Sequence, residues 1–282
     1  MNKDNKQAIV TLVLGQQFQE MFNKWIRPGW EQYCSRYDLD LIVIDRPLDD
    51  SSRAQARSPA WQKCIIHRFP AVARYQQVAW VDADIRINPN SPNIFANVPA
   101  EFVGAVDAYA IPTREDYIML LKRIYKQCEE KGWPYISNLT PQEYHGNFGL
   151  EAPFDGVVQS GVMVFSPQRH GEIFQKTYDG YEDKGDASWN YEMRPLSYEI
   201  LKSGAIQWIS PKFNMAWSYY ELMLYPFLGS TPSRLQKLVD RIEGNSALKL
   251  RSKCVATVFQ NNYFLHFAGG SLDYKLLPAN AN

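Results

Sequence analysis

Apolar positions along this chain follow two periods. Continuous apolar runs rich in β-branched residues occur at 8–15 (AIVTLVLG), 39–45 (LDLIVID), 77–84 (QVAWVDAD) and 101–108 (EFVGAVDA), and such runs suit strands buried on both faces of a parallel sheet. Between the first two, Phe18, Phe22, Trp25 and Ile26 recur at helical spacing until Pro28-Gly29 interrupts the pattern ahead of Trp30 and Tyr33. Between the next two, Ser58 as N-cap and Pro59 at the first helical position predict a helix reaching Tyr75. This alternation predicts a right-handed, doubly wound α/β fold with a Rossmann-like, mostly parallel central sheet flanked by helices.

Beyond residue 110 the rhythm changes. Ile118, Leu121, Tyr125 and Cys128 share one helical face, and a stretch rich in Pro, Gly and aromatic residues follows at 132–156. Loops of that length in compact domains are usually functional or disordered, and the aromatics of this one lead to the expectation of a substrate-side loop. An apolar β-run returns at 156–167 with a polar notch at Gln159-Ser160-Gly161, and 205–217 (AIQWISPKFNMAW) reads as another strand. The segment 233–253 is expected to hold a helix, with Arg234, Lys237, Arg241, Lys249, Arg251 and Lys253 as a solvated face.

Composition narrows the function classes. With 45% hydrophobic and 14% aromatic residues the chain can bury a sizeable core, and 30 basic residues balance 30 acidic ones. That balance argues against nucleic acid as a partner. The four cysteines form no C-x-x-C pair, so a reduced, cytoplasmic chain without a zinc site or disulfide framework is expected. The apolar run near the N-terminus is about seven residues, against roughly 20 for a membrane span, and no targeting or anchoring segment is expected.

Two Asp-x-Asp triplets stand out, Asp38-Leu39-Asp40 and Asp82-Ala83-Asp84. The first lies at the entrance of its strand and reads as a solvated strand start. The second lies at the exit, where a parallel sheet opens its ligand crevice. If extended geometry persists, Asp82 and Asp84 project to the same side.

Several segments together resemble the GT-A-fold nucleotide-sugar-dependent glycosyltransferases. VAWVDADIRI resembles their D-x-D strand, VVQSGVMVF a strand of the glycogenin and lipopolysaccharide galactosyltransferase families, and FLHFAGG followed by Lys275 their late His-x-x-Gly with a lysine beyond. The Asn-x-Gly of that strand is Gln-Ser-Gly here, and the spacing of Lys275 departs from the pattern. Residues 189–217 (WNYEMRPLSYEILKSGAIQWISPKFNMAW) echo the blood-group-type α1,3-glycosyltransferases. The resemblance implies one domain over 1–282, with a nucleotide-sugar-binding half at about 1–110. An acceptor-binding half with a C-terminal metal-ligand segment would span about 111–282.

It further implies a hexose donor linked to a nucleoside diphosphate, UDP in first place, and Mn²⁺ or Mg²⁺ as cofactor. Asp84 would bind the metal, Asp82 the metal or the donor ribose, and His266 would complete the set; the imidazole favours Mn²⁺. Arg57, Lys63, Gly269 and Lys275 are donor-binding candidates. Glu192 would face the anomeric carbon in a retaining reaction, with Asp186 beside it, or Asp155 would act as base in an inverting one. Gln159, a polar amide in a buried run, needs a partner that a sugar hydroxyl would supply. The aromatic loop from Trp133 to Phe154 with Trp189, Trp208 and Trp217 suits a glycan acceptor, and a lipid-linked acceptor would bring peripheral membrane contact. The alternatives are a haloacid dehalogenase-type phosphatase, with Asp82 as nucleophile and Asp84 as acid, and a non-catalytic nucleotide-sugar-binding module. The phosphatases normally carry the pair on the first strand, whereas two strands precede it here.

Overall fold

The computed structural model describes residues 7–151, 153–183, 191–229 and 246–278. Its strands are β1 (Gln7–Leu12), β2 (Asp40–Ile44), β3 (Gln77–Val81), β4 (Ile85–Ile87), β5 (Val103–Asp107), β6 (Val158–Phe165), β7 (Ile206–Trp208), β8 (Met215–Ala216) and β9 (Phe264–His266). Six of them form the central sheet in the order β2-β1-β3-β6-β5-β7. β1 pairs in parallel with β2 and β3, β5 in parallel with β7, and β6 runs antiparallel to both β3 and β5. The sheet is therefore mostly parallel, as expected. The antiparallel insertion of β6 is a departure that a simple strand–helix alternation does not contain.

Alternation along the strands feeds two apolar layers. Ile9, Ala79, Val81, Val162 and Val164 face one layer, which receives Phe22, Trp30 and Tyr33 from the helices Gln16–Trp25 and Arg27–Tyr37. Ala8, Val10, Val78, Trp80 and Phe165 face the other, packed on Phe174 and Leu196 from the helices Pro167–Gly180 and Met193–Ser203. The helical run breaks at Ile26, between two consecutive helices, and Pro28-Gly29 falls in the first turn of the second. A β-carbon on Gly29 would lie 3.1 Å from the Ile87 carbonyl oxygen, so this glycine lets the second helix pack closely on β4.

Three sequence-based elements differ from expectation. The helix expected over 59–75 is a 3-10 helix, Pro59–Arg68, capped by the Ser58 hydroxyl and ended at Phe69, whose extended backbone is imposed by Pro70. The strand expected at 205–217 is split by a 3-10 turn, Pro211–Asn214, so β7 joins the central sheet while β8 joins a second sheet. That sheet, β4-β9-β8, packs into the first apolar layer. The 132–156 stretch contains the short helix Pro141–Gly146. Among the described residues, no helix is long and apolar enough to cross a membrane.

Candidate functional site

The strand order reverses about β1, which has β2 on one side and β3 on the other, and such a switch point opens a crevice at the strands' carboxyl ends. A cleft of about 330 Å³ lies there, bordered by Leu12, Leu14, Phe18, Lys63, Asp82 and Asp84. A second, of about 670 Å³, is bordered by Phe18, Asp84, Gly270, Ser271 and Lys275. Asp84 and Phe18 stand on the rim of both.

Asp82-Ala83-Asp84 is a turn between β3 and β4, closed by the Ile85 amide donating to the Asp82 carbonyl at 3.1 Å. The two carboxylates thus converge through a turn rather than through the extended alternation expected. β4 pairs with β9 so that Ile85 opposes His266, and the Phe267 amide donates to the Asp84 carbonyl at 3.1 Å. One ligand atom each from Asp82, Asp84 and His266 lies within 4.8 Å of the others, and His266 Nε2 is 3.1 Å from Asp84 Oδ1.

A directional hydrogen-bond chain sets the imidazole. The Gly161 amide can only donate, and it donates to Gln159 Oε1 at 2.6 Å; that oxygen also accepts from Asn214 Nδ2. Asn214 Oδ1 is then left facing His266 Nδ1 at 2.9 Å, so Nδ1 carries the proton and Nε2 points its other valence at Asp84. A histidine held through its remote nitrogen is the usual arrangement of a metal ligand. Burial pushes His266 toward the neutral form, but the Asp84 charge, their hydrogen bond and Asp82 outweigh it and hold the imidazole above its ordinary pKa. Burial also raises Asp84, yet the charge of His266 prevails and lowers it; for Asp82 burial prevails over Lys63 and His266, and its carboxyl is raised.

Behind the turn, Lys63 is only 3% exposed, and its ammonium lies 3.0 Å from Asp82 Oδ1 and 2.9 Å from Glu192 Oε1. Burial disfavours this charge, but the two carboxylates more than compensate and raise its pKa. Trp80 Nε1 also donates to Asp82 Oδ1 at 2.8 Å, and the Ser160 hydroxyl donates to Glu192 Oε1 at 2.8 Å. The notch in β6 is the device that brings these groups in. β5–β6 pairing skips between Ala105 and Val106, and the irregularity turns Ser160 toward Glu192 and Gly161 toward His266. A β-carbon on Gly161 would lie 2.8 Å from His266 Cε1, so only glycine lets the histidine stand there.

With a cation in place of the Nε2 proton His266 would be neutral, and Asp82, Asp84 and Glu192 against Lys63 would give the cluster a formal charge of −2. Two carboxylates and an imidazole carrying that charge fit a divalent cation of the Mn²⁺ or Mg²⁺ type.

The remaining candidates fall elsewhere. Arg57 is buried against the Trp61 and Tyr178 rings and donates to the Tyr178 carbonyl at 2.8 Å, the Tyr181 carbonyl and Glu182. Its nitrogens are thus engaged inside the protein. Lys275 is exposed on the rim of the larger cleft, and Gly269 and Gly270 both adopt left-handed backbone with φ of 77° and 76°. Asp155 lies in the aromatic loop, where its side chain accepts from Gln142 at 3.1 Å. Asp186, Trp189, Arg234, Lys237 and Arg241 lie outside the described residues. In the other triplet, Asp38 ends a helix in left-handed conformation and Asp40 accepts from the Tyr75 hydroxyl at 2.5 Å. Sequence reading named Ser160 only as part of the polar notch and missed Asn214, whose one hint was a small polar residue beside an apolar run.

No protein-family model matches this chain, and no curated protein does. Among solved structures, the bifunctional glycosyltransferase WbbM in its apo form aligns with a TM-score of 0.51 at 12% identity, over 95% of this chain and 46% of that one. A glycosyltransferase involved in glycosylation of the major capsid of PBCV-1 aligns at 0.47 and 13% identity, covering 95% and 96% of the two chains. The galactosyltransferase LgtC, in complex with donor and acceptor sugar analogues, aligns at 0.46 and 10% identity, covering 96% and 92%. The chain therefore shares the GT-A-type α/β fold with WbbM, and its carboxylate–histidine cluster lies at the switch point of the sheet.

Proposed function

We propose that this protein is a metal-dependent glycosyltransferase that moves a hexosyl group from a nucleoside-diphosphate sugar, UDP-linked, to a hydroxyl of a glycan, with retention of configuration as the sequence resemblance implies. The observation that carries this reading is the Asp82–Asp84–His266 cluster on the rim shared by two clefts. Asp84 and His266 would hold the cation, with Asp82 as a third ligand. When bound, a divalent cation supplies charge to a departing diphosphate. His266 is oriented for this by Asn214, and Asp82 by Lys63 and Trp80. Gly269, Gly270 and Lys275 would meet the donor's phosphates from the larger cleft.

For Glu192 the proposal departs from the role that the resemblance implies. Only 3% exposed and bonded to Lys63 and Ser160 through one oxygen, it is a positioning residue for Lys63 rather than a group facing the anomeric carbon. Gln159 likewise acts on His266 through Asn214. Four unpaired cysteines, three of them buried, support a reducing cytoplasmic setting. Isothermal titration with UDP, with and without Mn²⁺, tests the reading. Binding that appears only with Mn²⁺ and disappears in Asp84→Ala is expected, and metal-independent binding would overturn it.

A further inference from the structure

Glu192 begins the helix Met193–Ser203, and the next two residues, Met193 and Arg194, leave the metal cluster and line a separate cavity of about 460 Å³. Its walls are aromatic, with Tyr109, Tyr117, Tyr144, Trp133 and Tyr135 from the helix Arg114–Lys131, the loop after it and their neighbours. Arg194 is 2% exposed, yet no carboxylate among the described residues pairs with it. One guanidinium nitrogen donates to the Tyr144 carbonyl, the Tyr144 and Phe148 rings cover its faces, and Nε is buried with no partner among the described residues. The Tyr144 hydroxyl is also buried and has no partner among the described residues. Buried cations are ordinarily paired, because removing a charge from water without a counter-ion is costly.

We propose that this cavity is the acceptor subsite for an anionic, ring-bearing ligand, whose acidic group completes the Arg194 guanidinium while its ring lies against the tyrosines. The volume suits one or two rings. The acidic group is a sugar carboxylate or a phosphate ester, both matching the planar donor fork of arginine. Calling the ligand an acceptor rests on the glycosyltransferase reading, whereas recognition of the anion does not.

The test is run without nucleotide or metal, so it stands apart from the UDP titration. Affinities are measured by titration for p-nitrophenyl β-D-glucuronide, p-nitrophenyl β-D-glucoside and phenyl phosphate. A charge-assisted bond predicts that an anionic probe binds at least about tenfold tighter than the neutral glucoside, and that Arg194→Met erases the difference. A preference for the glucuronide assigns a carboxylate, a preference for phenyl phosphate a phosphate ester. In the unmutated protein, Cys128 reports location: it lines the cavity and is half-buried, while the other three cysteines are buried. Its alkylation by iodoacetamide should slow several-fold with the tighter anionic probe. Equal affinities for glucuronide, phosphate and glucoside, or unprotected Cys128 at saturating anion, would overturn the proposal whatever the fate of the variant.

Discussion

Removing the ammonium of Lys63 is the sharpest test of how the site is built. In Lys63→Met, Asp82 and Glu192 lose the cation they share at 3.0 and 2.9 Å, and Glu192 stays sealed beside Ser160. Deleting one partner of a buried ion pair leaves an uncompensated charge and destabilises by about 3–5 kcal/mol. Asp82 is partly exposed, so its share is screened by solvent and Glu192 carries most of the effect. At about 2–4 °C per kcal/mol, the melting temperature should fall by roughly 6–20 °C. Glu192→Gln added to Lys63→Met removes the stranded charge, keeps an acceptor for the Ser160 hydroxyl, and should recover more than half of the loss. Urea unfolding of the wild type, both single variants and the double variant supplies the coupling energy. A loss below about 1 kcal/mol for Lys63→Met, or simple additivity in the double variant, would refute the view that the pair is a buried, interdependent unit.

Other consequences follow from the same geometry. Gly161→Ala places a β-carbon 2.8 Å from His266 Cε1 and 2.9 Å from Gln159 Oε1, so Mn²⁺ affinity measured by titration should fall about tenfold or more while the fold survives. Arg57→Ala should lower the melting temperature yet leave the UDP affinity within about twofold, since Arg57 is spent on Tyr178, Tyr181 and Glu182. His145 is fully buried between the Pro141 carbonyl and the Ser197 hydroxyl, and burial pulls its pKa from 6.5 to about 4. The unfolded chain therefore binds the extra proton between pH 6.5 and 4. Stability should accordingly drop as pH falls through that window, by up to about 3 kcal/mol. Urea unfolding at pH 7 and 5 should show this slope in the wild type and a shallower one in His145→Gln.

Some of this was legible in the sequence because it depends on local period. The strands β1, β2, β3, β5 and β6 came from apolar runs that only a doubly covered sheet can bury. Asp82 and Asp84 were separable from Asp38 and Asp40 because direction along a parallel strand decides which end meets the crevice. The split of residues 205–217 into β7 and β8 was not legible, since Ser210-Pro211 interrupts a run whose hydrophobicity is the same on either side. Glu192 could be read at a helix start, but its burial against Lys63 and Ser160 could not. That a carboxylate is present can be read from sequence, but whether it faces solvent or a buried lysine 129 positions earlier cannot.

The sequence by itself determined the layered α/β class, the exit-end aspartates and the late histidine as parts worth joining. The tertiary structure alone decided that a turn converges Asp82 with Asp84, and that a bulge in β6 and a glycine let His266 approach. It also decided that Asn214 fixes the imidazole, and that Arg194 sits in an aromatic cavity without a counter-ion among the described residues. The reason is physical. Hydrophobic period reports which face of an element is buried, whereas the partner of a buried polar atom is chosen by packing between elements distant in sequence.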